Sequence, residues 1–133
     1  MAIRYIDRRP DRCDAERAFR RFAAFRLDRR RLSPFEVYAS IRGLCTDEES
    51  ALDLLAVYDT LRLLELSGKR ECVRAVRAVY FSMSGRRPRR NDITCRVRRL
   101  AFEANYDERT IYRQLERACD FYCRLRSMSS FSG

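Results

Sequence analysis

Histidine is absent from this 133-residue chain, and only one of its 29 basic residues, Lys69, is a lysine. Without imidazole the chain has no acid–base group matched to neutral pH and no Cys/His zinc set. Six cysteines stand at 13, 45, 72, 95, 119 and 123, but no two form a C-x-x-C pair. Cys119 and Cys123, one helical turn apart, make at most half of a metal site, so no metal or other cofactor is expected. The four glycines form no phosphate-cradling loop. No Ser or Cys nucleophile stands beside a base and there is no tight carboxylate cluster, so the chain does not read as an enzyme. No apolar run approaches the ~18 residues of a membrane span. Met1-Ala2-Ile3-Arg4-Tyr5 runs straight into charge rather than into an apolar signal segment. A soluble, cytoplasmic protein with reduced thiols is expected. Strand-like alternation and internal repeats are also missing, which predicts an all-α fold, a helical bundle of about six helices.

Arginine is what the chain has in quantity. The net charge of +10 is unevenly spread: residues 1–50 hold twelve basic and nine acidic groups, residues 51–68 one and three, residues 69–133 sixteen and seven. The basic excess therefore lies toward the C-terminal end. Arginine's planar fork suits phosphate and pairs bidentately with a guanine edge; a GC-rich genome would enrich arginine whatever the function. A chain of this length buries roughly two-thirds of its unfolded surface, enough for one core without staples.

Pro10-Asp11 opens a helix expected to run to about Arg31, with Ala15, Phe19, Phe22, Phe25 and Leu32 inward. Ser33-Pro34-Phe35-Glu36 combines a serine cap, a first-turn proline and a reciprocating glutamate, and predicts a short helix ending near Gly43. Thr46-Asp47-Glu48-Glu49 repeats that logic for a longer helix to about Leu66, apolar on nearly all sides and so placed centrally. Ser67-Gly68 interrupts. Lys69–Met83 then carries Cys72, Val76, Val79, Tyr80 and Met83 on one face and Arg70, Arg74 and Arg77 on the other. Residues 1–45 read as an N-terminal helical appendage, 46–126 as the main domain, and 127–133 as a disordered tail.

The most informative stretch is 92–126, two amphipathic helices joined by a very short turn. Ile93, Val97, Leu100, Ala101 and Ala104 mark one stripe; Ile111, Leu115, Ala118, Tyr122 and Leu125 mark the other. Between them, Asp107 has the composition of a helix cap and Glu108 suits the positive end of a helix dipole. Such a pair, rich in arginine, predicts a helix-turn-helix. Just before it, Gly85-Arg86-Arg87-Pro88-Arg89-Arg90 forbids helix and sets four arginines where a phosphate backbone is the natural partner.

Tyr58-Asp59-Thr60-Leu61-Arg62-Leu63-Leu64, the Val-Tyr-Phe closing 73–81, Leu100-Ala101, and Thr110-Ile111-Tyr112-Arg113-Gln114-Leu115-Glu116-Arg117-Ala118 follow in an order that resembles the four-helix DNA-binding region 4 of bacterial sigma factors. More narrowly, the chain is similar to small phage transcriptional regulators of the RinA/ArpU type. The resemblance covers about residues 52–126, with Asn105 where the family has a turn glycine, and it implies a phage or prophage regulator of transcription. In such a fold the second helix enters the major groove. Glu108, Arg109, Tyr112, Arg113 and Glu116 are the base-reading candidates, while Arg86, Arg87, Arg89, Arg90, Arg96, Arg99 and Thr110 are placed for phosphates.

Expected partners are double-stranded DNA and, beside it, RNA polymerase or a host nucleoprotein complex. A homodimer joined through Phe19 and Phe22 is a further expectation. Two other readings stay open. One is a mobile-element inhibitor that occupies the nucleic-acid channel of a host complex such as a CRISPR effector. The other is a small terminase-like packaging subunit, although no heptad run for ring assembly is present.

Overall fold

A computed structural model describes residues 9–27, 31–83 and 91–132, and the architecture it gives is all-α. Its elements are six α-helices and a short 3-10 turn: α1 (Arg12–Ala24), α2 (Pro34–Leu44), α3 (Glu48–Leu66), α4 (Arg70–Val79), the 3-10 turn Phe81–Met83, α5 (Asp92–Ala104) and α6 (Glu108–Ser132). No described helix is long and apolar enough to cross a membrane.

Side chains fix most helix starts by accepting bonds from otherwise unsatisfied amides. Asp11 and Asp14 reciprocate at α1, each accepting from the other's backbone N–H at 3.0 Å. Ser33 and Glu36 do the same at α2, at 3.2 and 3.0 Å, with Pro34 in the first turn. At α3 the cap is Asp47, which accepts from the Ser50 amide at 3.2 Å. Thr46 lies one residue outside, and serine at the third helical position cannot reach back as glutamate would, so the expected reciprocal box is not made.

Three helix ends differ from expectation; α4 closes at Val79 rather than Met83, and Phe81–Met83 form a separate 3-10 turn. α1 stops at Ala24, well short of Arg31, because Arg26 takes a left-handed conformation at φ 56°. That conformation costs a non-glycine residue about 1–2 kcal/mol; here it drops Leu27 into the core at 3% exposure. Residues 28–30 of the expected helix lie outside the described residues, as does the arginine loop at 84–90. At the other end α6 continues through Ser132, so the expected disordered tail from Ser127 is helical up to that point.

The core forms one cluster. α3 is central, packing against α6, α1, α4 and α2, and buries Leu54, Val57, Leu61 and Leu64. It is not buried on all sides, however: Leu63 and Leu66 face outward. α4 turns its expected face inward through Cys72, Val76, Val79 and Tyr80. Phe19 of α1 is fully buried, its ring stacked on Tyr80 at 5.6 Å between centroids and tilted against Tyr122 at 5.9 Å. Phe22, equally buried, meets Tyr58 and Phe81. The first helix is thus part of the core that α3 to α6 share. A dimer contact through Phe19 and Phe22 is overturned, because neither ring reaches the surface.

Candidate nucleic-acid interface

The turn between α5 and α6 comprises Asn105, Tyr106 and Asp107. Asn105 is left-handed at φ 58°, ψ 40°, the conformation a glycine would adopt there without cost and asparagine tolerates. This lets the Tyr106 amide donate to Ala101 at 3.0 Å and the Asn105 amide to Phe102 at 3.4 Å, the paired bonds of a Schellman ending. Asp107 then caps α6, accepting from the Thr110 amide at 2.8 Å. That backbone bond, followed by the hydroxyl of Thr110 and the charges of Arg109 and Arg113, holds the Asp107 carboxyl below its ordinary range. Both ends of the turn are therefore fixed by hydrogen bonds.

Below the turn, Val97, Leu100 and Ala101 of α5 join Ile111, Leu115 and Ala118 of α6 in the core. This packing fixes the rotation of α6. At about 100° per residue, Arg109, Arg113 and Glu116 fall within about 60° of one another, opposite the buried stripe; all three are exposed. Tyr112 stands at the flank of that face, 37% exposed. Glu108 is set apart by about 100° from Arg109, and its carboxylate lies 3.7 Å from Arg98 of α5. The structure therefore brings four of the five base-reading candidates to one surface and turns the fifth toward the neighbouring helix.

The phosphate candidates are more scattered. Arg99 is exposed and 3.9 Å from Glu103, a pair too open to water to hold it firmly. Arg96 is half-buried, with its Nε shielded and without a hydrogen-bond partner. Both line a shallow hollow of about 300 Å³ with Asp92 and Cys95. Thr110 is half-buried behind the cap. Arg86, Arg87, Arg89 and Arg90 lie outside the described residues.

Two features escaped the sequence reading. Phe102, omitted from the apolar stripe of α5, is 89% exposed, and Tyr106 in the turn is 43% exposed, so the surface beside the cations is aromatic. Arg126, at the far end of α6, is 5% exposed. Its Nε donates to Asp53 at 2.7 Å and its Nη2 donates to Glu49. Burial alone would lower its pKa, but the Asp53 bond and the two carboxylate charges outweigh that and raise it. The signal for this role was Asp53, the one acid within the apolar run Ala51–Tyr58, which a buried cation explains.

Among the described residues no three His, Cys, Asp or Glu side chains gather as a metal site. The cysteines are free thiols, with Cys72 and Cys119 buried in the core. Comparison with family models, with curated proteins and with solved structures finds no match to this chain.

Proposed function

We propose that the chain is a sequence-specific, double-stranded DNA-binding regulator of transcription from a phage or other mobile element, with α6 as the recognition helix. The observation that carries the reading is the rigidly capped turn at Asn105–Asp107, which presents an α6 face bearing Arg109, Arg113 and Glu116. Arg113, in the middle of that face, is suited to bond guanine O6 and N7 bidentately, and Arg109 a second guanine. Glu116 is suited to accept from a cytosine amino group. Glu108, 3.7 Å from Arg98 in an exposed pair that water screens, stands beside this face rather than on it. Arg99 and the arginines of the loop preceding α5 supply the salt-sensitive attraction to phosphates. The resemblance of residues 52–126 to sigma region 4 and the RinA/ArpU regulators supports this reading, as does the charge excess of the segment 69–133.

Duplex binding measured against salt tests it. Detectable binding is expected, with a log–log slope of roughly −4 to −7 at ~0.9 per phosphate contact. Arg113→Ala is expected to relax sequence preference, costing about 1–3 kcal/mol at one base pair. Failure to bind duplex DNA at low salt overturns the regulator and leaves a protein complex as the target.

A further inference from the structure

The outward face of α6 does not end where a recognition helix leaves the major groove. Past Arg113 it continues through Arg117 and Arg124, and there it meets a second element. Lys69, from the turn between α3 and α4, joins Arg113, Arg117 and Arg124 around a groove of about 410 Å³, with Glu116 and Asp120 on its α6 wall. A solvated helix face would draw its charges from one helix; this groove draws them from two.

Lys69 is held there by its backbone. Gly68 is left-handed at φ 77°, so that the Lys69 amide donates to Leu64 at 2.8 Å and the Gly68 amide to Glu65 at 3.1 Å. The lysine follows at the N-terminus of α4, where its side chain makes no capping bond. Among the described residues, neither Lys69 nor Arg124 has a carboxylate within ion-pairing distance.

Helical rise places Arg124 about 24 Å from the start of α6. A major groove is about 12 Å wide and ~8.5 Å deep. Cations at that distance therefore pass beyond the bases and over the rim of the groove. The binding mode assigned to α6 above is assumed here. On that basis, we infer that the Lys69–Arg117–Arg124 groove is a second, sequence-independent site that grips the phosphate backbone flanking the bases read by Arg109 and Arg113.

The test compares two variants that each remove two positive charges. Lys69→Ala/Arg124→Ala removes two of the groove's four cations, whereas Arg70→Ala/Arg74→Ala removes exposed cations lining a different hollow of about 470 Å³ on α4. With duplexes of selected and of random sequence, the first variant is expected to bind both roughly tenfold more weakly. Its salt slope should be shallower by about 2, with the ratio between the two duplexes unchanged. The second variant is expected to stay close to wild type, and Lys69→Arg to bind as wild type does. If wild type binds duplex DNA but the groove variant behaves like the α4 variant, the second site is overturned while the recognition helix stands. If wild type does not bind at all, both readings fall together.

Discussion

The two faces of α6 use arginine in opposite ways. On the outward face Arg109, Arg113, Arg117 and Arg124 stand exposed. On the inward face Cys119, Tyr122 and Arg126 are all buried, and Arg126 ties the helix to Glu49 and Asp53 of α3. The outward charge is open to a partner, while the inward one holds the fold together. A count of arginines along this helix would merge the two. Packing separates them, because an arginine whose guanidinium is satisfied inside the molecule has nothing left for a phosphate.

The sharpest way to break the contrast is at Arg126. Arg126→Ala removes the buried cation, but Asp53 stays partly exposed and keeps Arg21 at 3.7 Å and the Tyr122 hydroxyl at 3.4 Å, so the expected cost is about 2 kcal/mol. This corresponds to a fall in Tm of roughly 8 °C. Urea unfolding that shifts by less than about 0.5 kcal/mol would show that the pair contributes nothing. Arg113→Ala is the counterpart: stability should stay within about 0.5 kcal/mol while DNA discrimination is lost.

A smaller effect belongs to the buried tyrosine of the helix, Tyr122. Burial, with the Asp53 charge adding to it, pushes the Tyr122 phenol far above its ordinary pKa. Burial likewise raises Tyr80, and it pushes the Cys119 thiol up to about 12. A group whose folded pKa is raised stabilises fully below its unfolded pKa, ~8.5 for a thiol and ~10 for a phenol, and loses that contribution as pH rises toward the folded value. Tm is therefore expected to fall above about pH 9. Tyr122→Phe should flatten that limb. On the acid side, the Ser50 hydroxyl and then its amide lower Asp47, and the Thr110 amide and then its hydroxyl lower Asp107, so their contributions are lost below about pH 4.

The mildest test is chemical. In native protein at pH 8, a thiol reagent should modify the exposed Cys13 and Cys95 readily, while Cys72 and Cys119 should react only on unfolding. Mass spectrometry after timed labelling reads this directly. Rapid labelling of Cys119 in folded protein would mean that the inward face of α6 opens readily in the native state.

Local signals made much of the fold legible in advance. The serine box at Ser33, the caps at Asp11 and Asp107 and the left-handed Asn105 each depend on a few neighbouring residues, and sequence carries such information well. The outward set of Arg109, Tyr112, Arg113 and Glu116 followed from helical period alone. What stayed hidden depends on tertiary packing. Arg26 ends α1 without a glycine or proline, because Leu27 gains burial by the turn. Arg126 reads as one more surface arginine until Asp53 is seen facing it. Glu108 lies toward Arg98, a neighbour on another helix that the helical period does not reveal. Lys69 joined α6 only through the turn at Gly68.

The stacking of Phe19 between Tyr80 and Tyr122 bears on where the molecule can be divided. A fragment beginning near residue 46 would retain every candidate DNA contact yet expose the two aromatic rings that α1 covers. Deleting one buried phenylalanine side chain typically costs about 3–5 kcal/mol; such a fragment would lose Phe19 and Phe22 together. The smallest unit expected to fold therefore includes α1 and its Asp11 cap. The first helix, which reads as an attachment to the domain, is one of its walls.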